Sequence, residues 1–572
     1  MRAYAGLFIL SAVLLGACAR EEASVYPYRW VYVSKNPARQ SDVEEIRQIV
    51  KTASEHGLNG MYFSAGFDRL DLQPPEYFQG LEEIKKICSS YGVEIIPRCL
   101  DVGYNGSVLA HNKNLAAGIP VSGQLFVVKA GEARLQADPP VSMVNGGFEK
   151  YAKDRIDGFR FPAKVGEVVF VDREVFTGGK ASLRFENLGD YPDDPGRLIQ
   201  EVTVHPERLY RLSFQVKTEG LDPSDSFGSG RFRVQVRGLR DGRQLTYFDP
   251  RVRSTGDWRQ VTVGFNSKDY DQVEVCVGVW EGKTGKFWLD EMRLEEIGLV
   301  NLLRRPGTPL TVQGEKNGII YEEGRDYAPV ADPELDFRFD HDGPVIEVLP
   351  GGRISEGERL RVSYYHGITV YQSQVTACMS EPELYEIWRS AVRLIDKNLS
   401  PAKYFLSVDE VRAGGTCKAC TERGMTMGQI LGDCITRQAE IVREVNPRAE
   451  LFIWSDMLDP NHNAGERQGN YYYHVDGTFQ GSWENIPKDL VIGCWWHEKR
   501  YESLGHFSGL GFRTMACGYY DADNLDNDRT WLEALDATGG ACGIMYTTWL
   551  DKYELLGEFG DLVSGPRENK QP

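Results

Sequence analysis

The chain has no run of apolar residues long enough to cross a bilayer as a helix. Its longest, Leu7 to Leu15, falls well short of the ~20 residues a span requires. Basic clusters are also missing. With 65 Lys and Arg against 83 Asp and Glu, the formal charge is −18. Phosphate-backbone binding needs the opposite sign, so no nucleic-acid partner is expected. Histidine is scarce, nine in 572 residues, and never falls in the His-x-His or paired spacing of a catalytic metal site. No metal is therefore expected in the chemistry. No glycine-rich fingerprint follows the first predicted strand, which argues against a doubly wound dinucleotide-binding sheet, the runner-up fold. In contrast, 11 Trp and 28 Tyr are a heavy aromatic load. Such rings serve as core or stack on the flat faces of sugars.

The N-terminus reads as an export signal over residues 1–18. Arg2 precedes the apolar run, and Leu15-Gly16-Ala17-Cys18 follows at once. That run resembles a bacterial lipobox, whose cysteine is lipidated and becomes the mature N-terminus. The alternative is an ordinary secretory peptide cut nearby, with Cys18 a spectator. The expectation is an exported globular body, lipid-anchored to the cell envelope at the outer membrane or periplasm.

Of the other cysteines, Cys88, Cys99, Cys276, Cys434, Cys494, Cys517 and Cys542 fall in predicted strands or on apolar helix stripes, where a buried free thiol is the default. Cys417 and Cys420 form a Cys-x-x-Cys in a glycine-rich loop. A structural zinc site would want two more ligands at similar spacing, and none is evident. A local disulfide or two free thiols is the expectation in an exported protein.

Strand and helix signals alternate at both ends of the chain. Trp30 to Ser34 reads as a strand, followed by a helix with Ser41 and Glu44 as a capping box and Val43, Ile46, Ile49, Val50 and Ala53 on one face. Met61–Phe63 and Glu94–Cys99 are the next strands. The pattern resumes with a helix over Leu384 to Ile395, capped by Ser380 and Glu383, and a strand Tyr404–Val408. A helix capped by Thr426 and Gln429 follows. Strands at Leu451–Trp454, Leu490–Cys494, Phe512–Cys517 and Cys542–Tyr546 bring the total to eight. Eight strands joined by helices predict an α/β fold: a (β/α)8 TIM barrel, interrupted after strand 3 by an inserted all-β sandwich domain and a small second β unit. The barrel parts are read as residues 26–125 and 368–565, the sandwich as 140–298 and the small unit as 299–367.

The interruption alternates polar and apolar residues, as in Leu209 to Val216 and Phe232 to Val236, with turns such as Asp241-Gly242. Its opening, Asn145-Gly146-Gly147-Phe148-Glu149, and its end, Trp288-Leu289-Asp290-Glu291-Met292-Arg293-Leu294, resemble the jelly-roll carbohydrate-binding modules found beside polysaccharide-degrading enzymes. Such a sandwich binds glycan or serves as a spacer. No cofactor is expected, beyond a structural calcium ion that a sandwich of this kind can hold. Because the interruption follows a strand, it leaves the barrel on the face where active sites form.

Strand Tyr404–Val408 runs directly into Asp409-Glu410-Val411-Arg412. Adjacent carboxylates at a strand end repel near a low-dielectric core and raise the pKa of at least one member, as a general acid requires. Leu406-Ser407-Val408-Asp409-Glu410-Val411 resembles the His-x-Gly-Gly-Asp-Glu-Val motif of family 20 glycoside hydrolases, the β-N-acetylhexosaminidases. Ile453-Trp454-Ser455-Asp456-Met457, Trp495-Trp496, Tyr519-Tyr520-Asp521 and Trp549 fall where that family carries pocket aromatic and acidic residues. The departures are Ser407-Val408 for Gly-Gly, the missing His and the missing first-strand Asp. The resemblance implies that Glu410 protonates the glycosidic oxygen. Asp409 would then orient the substrate's own 2-acetamido group as nucleophile, an exception to the two-carboxylate scheme. It further implies substrate-binding roles for Arg29, Trp454, Asp456, Trp496, Tyr520, Asp521 and Trp549. Without an acetamido group a second carboxylate is needed, and Asp456 and Asp521 are the candidates. The loop Asp459–Pro487, with Tyr471, Tyr472, Tyr473 and Trp483, is read as a cleft wall, and His474 as a structural hydrogen-bonder.

Three functions stay open from sequence: an exo-acting hexosaminidase-like hydrolase on oligosaccharide or polysaccharide, a glycosidase of another specificity, and a surface glycan-binding lipoprotein without activity. The lipobox reading has its own test. Cells fed a labelled fatty acid should incorporate it into this protein, and Cys18→Ala should abolish the label and release the protein from the membrane fraction.

Overall fold

The computed structural model describes residues 26–104, 106–152, 155–191, 196–221, 232–280, 284–371, 374–465 and 473–565. The signal segment with Cys18, and the loop residues Tyr471 and Tyr472, lie outside them. Eight strands close into a parallel barrel: β1 (Tyr28–Ser34), β2 (Gly60–Ser64), β3 (Glu94–Cys99), β4 (Lys403–Leu406), β5 (Glu450–Trp454), β6 (Val491–Cys494), β7 (Arg513–Tyr519) and β8 (Ala541–Thr547). Strand order in space follows order in sequence. β3 pairs with β4 through Leu406 opposite Cys99, although residues 100–402 separate them. β8 closes on β1 through Ile544 opposite Arg29.

Alternation along each strand builds two layers. Trp30, Tyr62, Phe405, Phe452, Met515 and Met545 point inward and fill the barrel. Val31, Val33, Met61, Phe63, Leu451, Ile453 and Ile544 point outward against the helices. Those helices are α1 (Gln40–Glu55), α2 (Pro75–Tyr91), α3 (Pro382–Leu399), α4 (Met427–Val445), α5 (Arg500–Gly509), α6 (Asp526–Asp536) and α7 (Leu556–Ser564). α1 buries the five expected residues, Val43, Ile46, Ile49, Val50 and Ala53. The capping box of Thr426 and Gln429 is formed at α4. The other two expected boxes are not. α1 starts two residues early behind Arg39, and Asp42 instead accepts from the Asn36 amide. α3 starts behind Glu381 with Pro382 at its first position, where a missing N–H costs nothing.

Between β3 and α3 the described residues build three large antiparallel sheets and a two-stranded ribbon, Tyr151–Ala152 with Arg155–Ile156. A four-stranded sheet (197–203, 272–279, 232–238, 244–248) and a five-stranded one (256–266, 209–219, 286–296, 182–185, 169–172) share one apolar core, including Phe185, Phe214, Phe232 and Phe287. The third, six-stranded sheet differs from the sequence reading. Ile119–Lys129, cut by the expected barrel boundary at 125, pairs with Arg359–His366. The small β unit therefore draws on the chain both before and after the sandwich. Periodicity marks strands but not their partners, so this nesting was not visible in the sequence. Among the described residues no helix is long and apolar enough to cross a membrane.

Phe405 packs edge-on to Tyr62 at 4.8 Å and tilted against Trp454 at 4.7 Å in the barrel centre. Phe405→Ala should cost about 3–5 kcal/mol through the cavity it leaves, read as a lower denaturant midpoint for the barrel's tryptophan fluorescence.

Candidate active site

The chain leaving β3 and the chain leaving β4 run side by side at the mouth of the barrel. Ser407 donates its amide to Cys99 O (2.9 Å) and accepts from the Val102 amide (3.0 Å). A Cβ on Gly103 would sit 2.0 Å from the carbonyl oxygen of Asp409, so this contact tolerates no side chain. The glycine at the close approach thus lies on the neighbouring segment rather than just before the acidic pair. It delivers Tyr104, whose hydroxyl donates to Glu410. Asp68 holds the same segment by accepting the Leu100 and Asp101 amides at 2.8 and 3.0 Å.

The two acidic neighbours have opposite electrostatics. Asp409 accepts from the Ser407 hydroxyl (2.7 Å) and faces Arg98 at 3.9 Å. Burial pushes its carboxyl up to about 6, with Asp101 and Glu410 adding and Arg98 opposing. For Glu410 burial alone would do the same. It is outweighed by Arg412, which holds both carboxylate oxygens at 3.1 and 3.2 Å, and by donation from Tyr104 and Gln374 (2.7 Å). Glu410 is therefore held below the usual carboxylate range. The raised member of the pair is Asp409. Arg412 is in turn bonded to Gln374 and stacked over Tyr371 at 4.6 Å and Tyr473 at 5.6 Å.

Asp456 lies beneath the pair, fully buried. It accepts from the Glu410 amide and from Asn463, both at 2.9 Å. Burial, then Asp409, push it up to about 7. Glu410 has φ 50°, and Tyr519, Tyr520 and Asp521 have φ 67°, 57° and 58°. Left-handed backbone at residues with a Cβ costs on the order of 1 kcal/mol each and gathers where function positions a group.

A cavity of about 530 Å³ opens above the pair, within the size range of small-molecule sites. Tyr32, Tyr62, Tyr371, Trp454, Trp495, Tyr520 and Trp549 line it with Arg98, Tyr104, Asp409 and Glu410. The Tyr62 hydroxyl is buried against Trp454. Trp495 stacks parallel to Tyr520 at 5.8 Å, and Trp549, exposed, leans on Tyr32 at 5.0 Å. Cavities of similar volume occur elsewhere, one with Asp336 and Asp340 among phenylalanine rings and one without aromatic rings.

Five of the expected residues, Asp409, Glu410, Trp454, Tyr520 and Trp549, meet in this cavity. Others do not. Arg29 sits at the opposite end of β1, donating to Gly57 O (2.8 Å) and to Tyr26 O. The arginine of the site is Arg98, from β3. Trp495, not Trp496, lines the main cavity; Trp496 faces a neighbouring one with His497 and Trp531. Asp456 acts from below the pair. Asp521 is committed to the Thr548 hydroxyl (2.5 Å) and the Trp549 amide (2.9 Å), and so positions Trp549. Trp483 is buried edge-on to His506 rather than walling the cleft. His474 bonds Leu245 O at 2.8 Å, the structural role expected. Arg98, Tyr104, Tyr371, Gln374 and Arg412 are given no role in the sequence reading, and of the Trp495-Trp496 pair only Trp496 is given one. Position at a strand end could have drawn attention to Arg98 and Trp495. Tyr371 and Gln374 come from the irregular end of the insertion, where no periodicity speaks.

The sandwich touches this site. Arg243 donates to Tyr473 O (2.8 Å) and Val475 O (2.5 Å), and Tyr247 packs on Tyr371 at 5.0 Å.

Residues 142–284 match the family model described as a carbohydrate binding domain. The sandwich is similar to carbohydrate-binding modules. No curated protein matches the chain. Among solved structures, a family 16 carbohydrate-binding module is 20% identical over 27% of this chain and 97% of its own, with a TM-score of 0.19. A rhamnosidase from Novosphingobium sp. PP1Y is 9% identical over 91% of this chain and 55% of its own, with a TM-score of 0.31. A GH20 exo-β-N-acetylglucosaminidase from Vibrio harveyi is 13% identical over 36% and 34%, with a TM-score of 0.24.

Asp456 gives a pH test. Its folded pKa near 7 lies above the unfolded value of 3.8. The folded state thus holds a proton that the unfolded state has lost between these limits, and stability falls as pH rises through them. Asp456→Asn keeps an acceptor for the Glu410 amide and removes the buried charge. It should stabilise the protein by about 2–4 kcal/mol near pH 8 and by little near pH 4, read by denaturant unfolding at both pH values.

Proposed function

We propose that the protein is a glycoside hydrolase, acting on oligosaccharide or polysaccharide and removing N-acetylhexosamine-type sugars. The observation that carries this is the Asp409–Glu410 pair, one member held protonatable and the other held ionised, at the floor of an aromatic cavity on the barrel's C-terminal face. The (β/α)8 reading of the barrel, with its insertion on a loop of the catalytic face, fits that location. The similarity of the sandwich to carbohydrate-binding modules supports a glycan as the ligand. The aromatic rings offer faces for a pyranose, and Arg98 offers a polar contact.

In this reading the substrate's 2-acetamido oxygen attacks C1 while the C1–O bond breaks and the leaving oxygen takes a proton. The proton comes from Asp409, whose carboxyl burial raises, and Glu410, held low by Arg412, is the anion that steadies the positive charge growing on the acetamido group; the opposite shifts of the two carboxyls support that choice. These roles reverse those that the family 20 motif implies. Water then attacks C1 and gives a proton to Asp409, the bond from C1 to the acetamido oxygen breaks, and the acetamido group is restored. The chemistry uses no cofactor. Export and lipidation at Cys18 would place the enzyme on the cell envelope, facing its polymer.

A panel of aryl glycosides tests the proposal. Hydrolysis of aryl N-acetyl-β-hexosaminides should fall as pH rises above about 6, as Asp409 loses its proton. Asp409→Asn and Glu410→Gln should each lower kcat by about 10²–10⁴. Release only from sugars lacking an acetamido group would discard the substrate-assisted step and make Glu410 the nucleophile. An alkaline limb that persists in the residual activity of Asp409→Asn would return the acid role to Glu410. No release from any glycan, polymers included, would leave a glycan-binding protein.

A further inference from the structure

The described cysteines are all buried and free, and three of them meet. The sulfur of Cys378 lies 3.5 Å from that of Cys417 and 3.7 Å from that of Cys420, and Cys417 and Cys420 are 3.6 Å apart. The third ligand was hidden in sequence because Cys378 stands 39 residues before Cys417. The chain returning from the insertion carries it to the loop after β4. There the Cys420 and Thr421 amides donate to Cys417 O at 2.9 and 3.0 Å, a tight turn that puts both sulfurs of the Cys-x-x-Cys on one side.

We infer that Cys378, Cys417 and Cys420 form a structural metal site for a thiophilic divalent cation of the zinc class. Three observations carry it. First, the sulfurs form a nearly equilateral triangle. A tetrahedral ion with metal–sulfur bonds of ~2.3 Å sets its sulfurs about 3.7–3.8 Å apart, close to the spacing seen, whereas a disulfide needs about 2.05 Å. Second, a cation stands beside the thiolates. The buried Arg305 guanidinium lies 3.7 Å from the Cys417 sulfur and is shared with Glu381 at 2.7 Å, so it offsets part of the negative charge that three thiolates and a divalent ion carry. Third, a small cavity bounded by Gly118, Gly415 and Met427 adjoins the sulfurs. Its volume, about 10 Å³, is of the order of a single water.

The site does not depend on the hydrolase reading, but it serves the same loop. Cys378 lies four residues beyond Gln374, and Cys417 five beyond Arg412. The ion would thus clamp together the two segments that grip Glu410. It would do so as a cross-link and not as a reactant, since the sulfurs line a cavity separate from the one above the carboxylates.

The test uses purified full-length protein. Elemental analysis should find about one zinc per chain, and Cys378→Ser and Cys417→Ser should each lose it, while Cys276→Ser, in the sandwich, should keep it. Because a cluster variant could fail to fold, the wild-type chain is also reduced, stripped and titrated with cobalt(II) alone. A saturable thiolate-to-cobalt charge-transfer band with tetrahedral d–d absorption, lost on adding zinc, is the expected result. A disulfide among the three cysteines in protein taken from the cell envelope, found by peptide mass spectrometry, would overturn the inference. So would a reduced protein that takes up neither ion in stoichiometric amount.

Discussion

Two arginines make the mouth of the barrel possible. Asp68, Asp101, Asp409, Glu410 and Asp456 crowd into a buried region where an unpaired carboxylate costs several kcal/mol. Arg98 answers Asp101 and Asp409, and Arg412 answers Glu410. The remaining imbalance is taken up by protonation, at Asp409 near 6 and Asp456 near 7. Of two neighbouring carboxyls, one thereby becomes easier to protonate and the other harder.

Arg412 depends on parts of the chain that a bare barrel lacks. Its guanidinium is bonded to Gln374 and lies between the rings of Tyr371 and Tyr473. Tyr371 and Gln374 belong to the end of the insertion, and Tyr473 is held by Arg243 of the sandwich. The inserted domains therefore brace the grip on Glu410, and Tyr247 of the sandwich packs directly behind Tyr371. This gives the insertion a mechanical link to the site in addition to its similarity to carbohydrate-binding modules. Any clamp at Cys378, Cys417 and Cys420 would act on the same two segments.

Left-handed backbone occurs here as it does at other turns of the chain. Glu410 and the run Tyr519–Asp521 adopt left-handed conformations. Amide bonds to Asp456 and Asp521 hold the geometry. Both aspartates were read as ligands for sugar, and both instead anchor the groups that would face it. Polar residue type and strand-end position are the same for a residue that touches substrate and for one that aims it, so sequence could not separate the two roles.

Barrel strands, most helices and the alternating sandwich were legible in the sequence, because each is set by a local period. Two apolar strides place Trp30 and Val31 on opposite faces, and a 3.6-residue stripe marks α1. Asp409 and Glu410 were legible for the same reason: a strand ends beside them. What the tertiary structure alone decided are the meetings of distant segments. Among these are the pairing of Ile119–Lys129 with Arg359–His366, Arg98 in place of Arg29, Trp495 in place of Trp496, and Gln374 on Glu410. Cys378 beside Cys417 and Cys420 is another. Periodicity reports which face a residue takes but not what lies opposite it. Partnership, and with it charge balance and pKa, exists only once the chain has closed.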